Sequence, residues 1–186
     1  MSGRAVIAGG PQMRFENVIF HVANAFSNGA VLTALSTAGG TDILLTDCQI
    51  DITASSAGGA VTGVAVGTSP SSFTANGLTI NIDPGVMPLW SIGVWADESA
   101  DVDITNATIR VTPGSGFTAA VLGETTSLIR IRNSVIEATG GNDALNGSSG
   151  GLTTPIRVLA SQIIGARTGA DLILRNCVDG NFTAIL

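Results

Sequence analysis

Four carboxylates near the middle of the chain have the residue types and spacing that could support chemistry. They are Asp97, Glu98, Asp101 and Asp103. Carboxylates at this density could supply the acid and the base of glycoside hydrolysis, or could bind calcium. A run of charges at a turn is more often a solvated corner, and we expect a solvated corner here. We also expect Asp103 to form a surface ion pair with Arg130, as Arg110 does with Glu137.

His21 is the single histidine of the sequence. A lone imidazole without cysteine, serine or acidic neighbours in its own repeat is more often a surface residue than a catalytic base or a metal ligand. The sequence contains no glycine-rich phosphate loop, no zinc-ligand spacing and no nucleophile elbow. We therefore expect no catalytic residues, no bound metal and no cofactor.

Four arginines gather toward the C-terminal end of the chain, and we call them the arginine patch. They are Arg130, Arg132, Arg157 and Arg175. The simplest interpretation is that they keep the protein soluble and protect a sheet edge from pairing. The alternative is a docking patch for an acidic neighbour or an anionic glycan, since guanidinium groups bind carboxylates and related anions well.

An apolar segment at residues 83–90 interrupts the polar turns, and we call the surface around it the Trp90 corner. Its candidate residues are Met87, Leu89, Trp90, Trp95, Phe26 and Phe117, the last two from the corresponding corner of neighbouring repeats. An exposed patch of this kind marks a binding surface. It could contact another subunit or stack against a sugar. We favour a subunit, because aliphatic residues outnumber the polar groups that a sugar needs.

The composition indicates one all-β domain over residues 1–186. The chain is 45% hydrophobic and only 12% charged, with 24 glycines. Small and β-branched residues favour strands joined by tight turns. The net charge of −6 argues against nucleic acid or an anionic membrane as a partner. No apolar run is long enough to span a membrane and no secretion signal is expected, and the two cysteines are too few for a disulfide scaffold.

A repeat positions these groups. Each copy has the form apolar-x-apolar-x-(Asn or Asp)-small-x-apolar-x-apolar, which predicts two short strands joined at a central corner residue. The central residues are Asn17, Asp47, Ala75, Asn106, Asn133, Ala160 and Asn176. An apolar cluster upstream of the centre supplies a third strand, at residues 5–7, 32–35, 64–66, 92–95 and 120–122. The final interval of 16 residues is too short for a complete three-strand coil, so residues 171–186 are expected to form a terminal partial coil. Alternatively, residues 156–165 belong to a long insertion.

Stacked copies should align equivalent residues into columns, because successive side chains of a strand face opposite sides. The first inward column is expected to be Phe15, Leu45, Phe73, Ile104, Ile131, Val158 and Leu174. The second is expected to be Phe20, Ile50, Leu78, Ile109, Ile136 and Ile163. An outward column should contain His21, Asp51, Thr79, Arg110 and Glu137. The pattern predicts a right-handed, single-stranded parallel β-helix of about six to seven coils, each with three short strands.

The central Asn and Asp residues are expected to turn the corner in the left-handed conformation, with stacked amides bonding along the axis. Cys48 and Cys177 share the position after the centre. At roughly 4.8 Å per coil they should lie about 20 Å apart, too far for a disulfide. We expect both to be buried free thiols.

Three copies of the repeat resemble the pectate-lyase-like right-handed β-helix family, whose fold is also found in phage tailspikes and many adhesins. The copies are residues 43–50 (ILLTDCQI), 102–109 (VDITNATI) and 129–136 (IRIRNSVI). The resemblance covers nearly the whole chain at the level of architecture. It implies a shape, while the enzymes of this shape are lyases and glycoside hydrolases that act on polysaccharides.

We expect a non-enzymatic structural or adhesive protein that works as a homo-oligomer, because the stack has open ends and an apolar corner. The resemblance implies that this oligomer is a trimer. The resemblance implies a phage virion component such as a tail fibre, spike or capsid decoration, located in the virion or otherwise extracellular. Its partners would be other virion proteins or a surface glycan. One alternative is a polysaccharide lyase or glycoside hydrolase using the four carboxylates. Another is a carbohydrate-binding adhesin module that stacks sugars on Trp90 and Trp95.

Overall fold

Short strands with alternating apolar and polar residues make up most of the protein. The computed structural model describes residues 2–8, 12–23, 31–37, 40–53, 59–67, 71–83, 89–113, 116–125, 127–149 and 153–185. Within these ranges the chain forms strands and turns and no helix. The predicted all-β class is therefore confirmed, and its cause is the abundance of β-branched and small residues at alternating positions.

The strands follow one another in groups of three. The first groups are β1 (Ser2–Ala8), β2 (Gln12–Glu16) and β3 (Ile19–Val22); β4 (Val31–Thr37), β5 (Asp42–Thr46) and β6 (Gln49–Ile52); β7 (Ala60–Val66), β8 (Ser72–Asn76) and β9 (Thr79–Ile82); β10 (Trp90–Ala96), β11 (Asp101–Thr105) and β12 (Thr108–Val111). The remaining strands are β13 (Phe117–Glu124), β14 (Leu128–Arg132) and β15 (Val135–Ala138); β16 (Asp143–Ser149), β17 (Ile156–Leu159) and β18 (Gln162–Ile164); β19 (Ala166–Thr168), β20 (Leu172–Arg175) and β21 (Cys177–Val178); and β22 (Ala184–Ile185).

Each strand pairs in parallel with the strand three elements before it, which builds three stacked sheets. Sheet A contains β1, β4, β7, β10, β13, β16 and β19, and sheet B contains β2, β5, β8, β11, β14, β17 and β20. Sheet C contains β3, β6, β9, β12, β15, β18 and β21, with β22 added at its edge in the antiparallel direction. The chain is thus a parallel β-solenoid in which each coil buries its inner face against its neighbours.

The inward columns form one continuous core, with one correction to the predicted register. Leu45 pairs with Ala75 and Ala75 with Ile104, so Phe73 does not belong to this column. Phe73 lies instead between Ile43 and Val102. The second inward column is corrected in the same way: Ile80, and not Leu78, pairs with Ile50 and Ile109. The other members of both columns are confirmed.

The correction arises at the corner between sheets B and C. Positive φ angles occur at Asn17, Asp47, Asn106, Asn133 and Asn176, as the sequence predicts, and also at the central residue Ala160, for which no such conformation was predicted. In the third copy the corner residue is Gly77 (φ 73°), two residues after the predicted Ala75. Glycine adopts this conformation without steric cost, so the apolar-residue pattern alone mislocated the centre by two positions. At this corner the Asn106 side-chain amide donates a hydrogen bond along the axis, from Nδ2 to Asn76 Oδ1 on the neighbouring coil at 2.8 Å.

Sheet A departs from simple alternation at Gly93. Val94 and Ala96 belong to the main core, whereas Ile92 and Trp95 belong to a separate apolar cluster. A side chain at position 93 would collide with the carbonyl oxygen of Ala120 on the neighbouring strand. Glycine therefore permits the close approach of two backbones at which the strand changes which face it buries.

The final interval accommodates more structure than the sequence predicted. Between Ala160 and Asn176 the chain forms β18, β19 and β20, one strand for each sheet, so the expectation that 16 residues are too few was wrong. Gly165 (φ 130°) and Gly169 (φ 140°) turn the chain on either side of β19, which shortens both connections. The strands at 156–164 pair in register with β14 and β15, so this segment is a regular coil and not an insertion.

Both cysteines are free and buried, as predicted. The Cys48 thiol lies 3.3 Å from the carbonyl oxygen of Thr46, and the Cys177 thiol lies 3.4 Å from that of Arg175. Ser134 occupies the same column, and its hydroxyl donates to the carbonyl of Arg132 at 2.6 Å. The thiols therefore have the same local role as a serine that satisfies the corner backbone.

Candidate functional site

The Trp90 corner is an exposed apolar surface at the start of β10. Leu89 is 51% exposed and Trp90 is 47% exposed, high values for large apolar side chains. Trp90 pairs in register with Phe117 on β13, and their rings meet edge to face with centroids 6.4 Å apart. The structure therefore brings Leu89, Trp90 and Phe117 together where two neighbouring interior strands of sheet A begin. Met87 and Phe26 lie outside the described residues.

An apolar layer supports this corner from the outer side of sheet A. Ile92, Ala119 and Leu122 are almost fully buried there, and Phe117 and Trp95 pack against them. The layer holds the Phe117 ring in place, and Phe117 in turn contacts Trp90. A surface fixed in this way loses little side-chain entropy when it binds.

Trp95 has a different environment from Trp90. It is half-buried, and its indole N–H donates to the Glu124 carboxylate at 2.9 Å. Its polar atom is therefore already bound within the protein. Trp95 contributes to the layer beneath the corner, whereas Trp90 offers the more exposed ring.

Three of the four clustered carboxylates fall into two environments, and the fourth, Glu98, is exposed in the turn that follows Asp97. Asp97 accepts hydrogen bonds from the backbone N–H of Glu98 at 2.7 Å and from the Thr125 hydroxyl at 3.0 Å, so it organises a turn. Asp101 and Asp103 lie on β11 and project toward the arginines of β14. In the described part of the chain, no group of three or more His, Cys, Asp or Glu residues is placed to bind a metal ion.

Asp101 and Asp103 form an ion-pair network with the arginine patch. Arg130 contacts Asp101 at 2.5 Å and Asp103 at 3.3 Å, and Arg132 contacts Asp103 at 2.8 Å. The predicted pair between Asp103 and Arg130 is confirmed. The hydrogen bond with Asp101 raises the pKa of Arg130 above its ordinary value; partial burial opposes the rise and the bond with Asp103 adds to it. These carboxylates are thus engaged with cations of the same surface.

The arginine patch lines a groove on the outer face of β14, β17 and β20. The groove has a volume of about 350 Å³, and all four predicted arginines border it. Arg157 and Arg175 are exposed, and neither forms an ion pair with any residue that the structure describes. The groove therefore contains two neutralised arginines and two that remain uncompensated.

Sequence reasoning missed two members of this surface, Leu159 and Ile173. They are 41% and 40% exposed and lie between the arginines. Leu159 pairs in register with Arg132 and Arg175, and Ile173 pairs with Arg157. The signal was present, because both occupy outward positions of the alternating pattern, where an aliphatic residue is unexpected.

His21 lies on an exposed outward position beside Asp51, as predicted. Asp51 is bound by Gln49 Nε2 at 2.5 Å and by Asn81 Nδ2 at 2.9 Å. Asn81 takes the place in this column that was predicted for Thr79, which follows from the two-residue correction at Gly77. Farther along the column, the predicted pair between Arg110 and Glu137 forms at 3.0 Å.

The geometry defines a parallel β-solenoid whose candidate binding surfaces lie on the outer faces of its sheets. The chain matches no protein-family model, and no curated protein or solved structure matches it. Among the described residues, no helix is long and apolar enough to cross a membrane.

Proposed function

We propose that this protein is a non-enzymatic structural or adhesive component that works as a homo-oligomer through the Trp90 corner. The observation that carries the proposal is the exposed pair Leu89 and Trp90 above a buried apolar layer. Stable subunit contacts are enriched in aromatic anchors packed over apolar residues. The stacked sheets provide a stiff body, and side-by-side packing would join such bodies into a thicker shaft.

The proposed setting is a phage virion, in which the protein forms part of a tail fibre, spike or capsid decoration, and the proposed oligomer is a trimer. The resemblance of the repeats to the tailspike type of β-helix supports both proposals. The parallel β-solenoid is compatible with this setting, and other virion proteins would be its partners.

The test is the native mass in solution, measured by light scattering after size-exclusion chromatography at several concentrations. We expect a trimer for the unchanged protein and a monomer for the double variant Leu89→Ser and Trp90→Ser. The matched control is the double variant Ile19→Ser and Phe182→Ser, which removes two other exposed apolar side chains, 66% and 76% exposed, and should remain trimeric. A monomeric unchanged protein, or an unaltered mass after the Trp90-corner change, would defeat the proposal. A stable dimer or tetramer would contradict the trimer alone.

A carbohydrate-binding adhesin is the second candidate, favoured by the exposed ring of Trp90. Sugars stack on such rings but also require polar groups around the ring. Among the residues that the structure describes, the neighbours Ala60, Leu89 and Phe117 supply no polar group from their side chains. A shift in tryptophan fluorescence when glycans are added, lost in Trp90→Ser and kept in Trp95→Phe, would favour this candidate over the oligomer.

A polysaccharide-cleaving enzyme is less well supported, because Asp101 and Asp103 are bound to Arg130 and Arg132. Release of reducing ends or unsaturated sugars from a panel of polysaccharides, abolished by Asp101→Asn and Asp103→Asn, would reverse this preference.

A further inference from the structure

The arginine patch concentrates positive charge in an acidic protein. The net charge is −6, yet four of the eight basic residues border one groove on sheet B. Arg130 and Arg157 are direct cross-strand neighbours on parallel strands. Like charges at this spacing destabilise a sheet. The contact between Arg130 and Arg157 therefore adds no stability to the isolated fold, and an anion bound beside Arg157 would reduce the repulsion.

The groove offers only hydrogen-bond donors and aliphatic surface. Its lining consists of four arginines together with Ile131, Val158, Leu159 and Ile173. Guanidinium groups donate hydrogen bonds and accept none. A sugar chain presents hydroxyl groups that need acceptors as well as donors, and such chains commonly use aromatic stacking platforms, which these side chains do not provide. The lining therefore suits a ligand that presents carboxylates and aliphatic groups on the same face.

The uncompensated charges and the exposed aliphatic groups form a checkerboard across β17 and β20. Arg157 pairs with Ile173, and Leu159 pairs with Arg175, so the two arginines are diagonal neighbours. Diagonal positions on adjacent strands lie roughly 7–8 Å apart. In an extended peptide, side chains two residues apart on one face are separated by about 6.6 Å. Two carboxylates at positions i and i+2 can therefore reach both arginines.

We propose that the arginine patch docks an extended acidic segment of another protein, with carboxylates that bind Arg157 and Arg175 and aliphatic groups that pack on Leu159 and Ile173. Arg130 and Arg132, held by Asp101 and Asp103, form the rigid border of the site. Their ion pairs reduce the positive charge at that border, so the ligand carboxylates are directed to the two free guanidinium groups. The site lies on sheet B, on a different sheet from the Trp90 corner.

The probe is a blocked peptide of sequence Leu-Ser-Asp-Ser-Asp-Ser-Leu, whose two aspartates and two leucines share one face of an extended chain, with binding followed by calorimetry at low salt. We expect the peptide to bind the unchanged protein, and the double variant Arg157→Ser and Arg175→Ser to reduce its affinity by about tenfold or more. The charge-matched control is Arg14→Ser with Arg167→Ser, which removes two arginines outside the groove and should leave the affinity within about twofold. Raising the salt concentration should lower the affinity of the peptide for the unchanged protein more than its affinity for the Arg157 and Arg175 variant.

Three comparisons decide whether the ligand chemistry is correct. A peptide of sequence Leu-Ser-Asp-Asp-Ser-Ser-Leu has the same composition but turns one aspartate to the opposite face, and it should bind more weakly. Equal binding would show attraction by charge alone and would overturn the proposal. An acidic oligosaccharide, oligogalacturonate, that binds more tightly than the first peptide would also overturn it, as would the absence of peptide binding.

The native mass separates this proposal from the proposed oligomer. The Arg157 and Arg175 variant should keep the mass of the unchanged protein, because the oligomer is assigned to the Trp90 corner. If that variant dissociated the oligomer, the groove would be a contact between copies of this chain, and docking of a separate protein would be wrong. Peptide binding that persists in a monomeric Trp90-corner variant would support the site independently of the oligomer.

Discussion

The inward and outward columns of sheet B belong to the same strands but follow different rules. Inward, Leu45, Ile104 and Ile131 are fully buried and are interchangeable in type. The outward column that runs through Asp103 and Arg130 changes residue type at nearly every coil. Its successive members are Thr74, Asp103, Arg130, Arg157 and Ile173. Burial demands an apolar residue at every inward position, of whatever size the neighbouring coils leave room for, as Ala75 between Leu45 and Ile104 illustrates. The stack places no comparable demand on the outward positions, so the residues found there indicate function better than those of the core do.

The outer faces of sheets A and B extend this contrast. Sheet A uses its outer face for the apolar layer beneath Trp90, whereas sheet B uses its outer face for ion pairs and the groove. The inner faces of both sheets pack against the same hydrophobic core. A change inside the stack should therefore affect both surfaces at once, and a change outside should affect one surface and leave the fold intact.

The largest expected effect on stability comes from truncating a buried side chain in an inward column. Ile104→Ala should lower the free energy of unfolding by about 2–5 kcal/mol, because Ile104 is fully buried and its neighbours on adjacent coils cannot close the cavity. Chemical denaturation followed by circular dichroism measures the change. Thr105→Ala, at the adjacent outward position, is the control and should stay within about 0.5 kcal/mol. Equal losses at the two positions would break the distinction between inward and outward columns.

A smaller effect, of opposite sign, is expected at the corner where the two kinds of column meet. Ala160 has a φ of 50°, which an alanine adopts at a steric cost. Ala160→Gly should raise the free energy of unfolding by about 0.5–1 kcal/mol, since the relief of strain exceeds the added chain entropy.

Ala75→Gly is the matched control for that change. Ala75 lies buried in β8, where glycine only weakens the strand, so the same substitution should destabilise the protein by roughly 0.5–1 kcal/mol. Changes of the same sign at both positions would contradict the assignment of Gly77, and not Ala75, to the third corner.

The periodic part of the architecture could be predicted from sequence because the core repeats it. Asn17, Asp47 and Asn133 are marked by residue type, and each adopts the predicted left-handed corner. The third copy was mislocated because Phe73 and Leu78 are apolar in a shifted frame, while the residue that decides the register is Gly77. Conformation at a single glycine carried more information there than the hydrophobic pattern.

The candidate surfaces were predictable to a lesser extent. Arginines attract notice by charge, so the patch was identified, whereas Leu159 and Ile173 resembled core residues of an ordinary strand. Whether these two side chains face outward can be decided only when the strand register is known. The compensation of Arg130 and Arg132 by Asp101 and Asp103 likewise depends on which strands are neighbours, and one residue of register error would have changed the partners.

The smallest expected effect concerns an outward carboxylate at the end of sheet C. Asp179 accepts hydrogen bonds from the backbone N–H groups of Thr183 at 2.9 Å and Asn181 at 2.8 Å, and these bonds lower its pKa below the ordinary value of 3.8. Because the folded pKa is the lower one, the carboxylate stabilises this turn fully above about pH 4. The stabilisation is lost as the pH falls through the folded pKa.

The amide proton shifts of Asn181 and Thr183, followed by nuclear magnetic resonance during acidification, test this sign. They should titrate together with a midpoint below 3.8 and should lose the titration in Asp179→Asn, while Asp171→Asn leaves it unchanged. A midpoint at or above 3.8 would contradict the bonding of the carboxylate to these amides. Because the turn joins β21 to the antiparallel β22, its opening should leave the amides of β14 and β15 unaffected. If the inward columns hold the stack together, the turn between β21 and β22 can unfold while the interior strands remain folded.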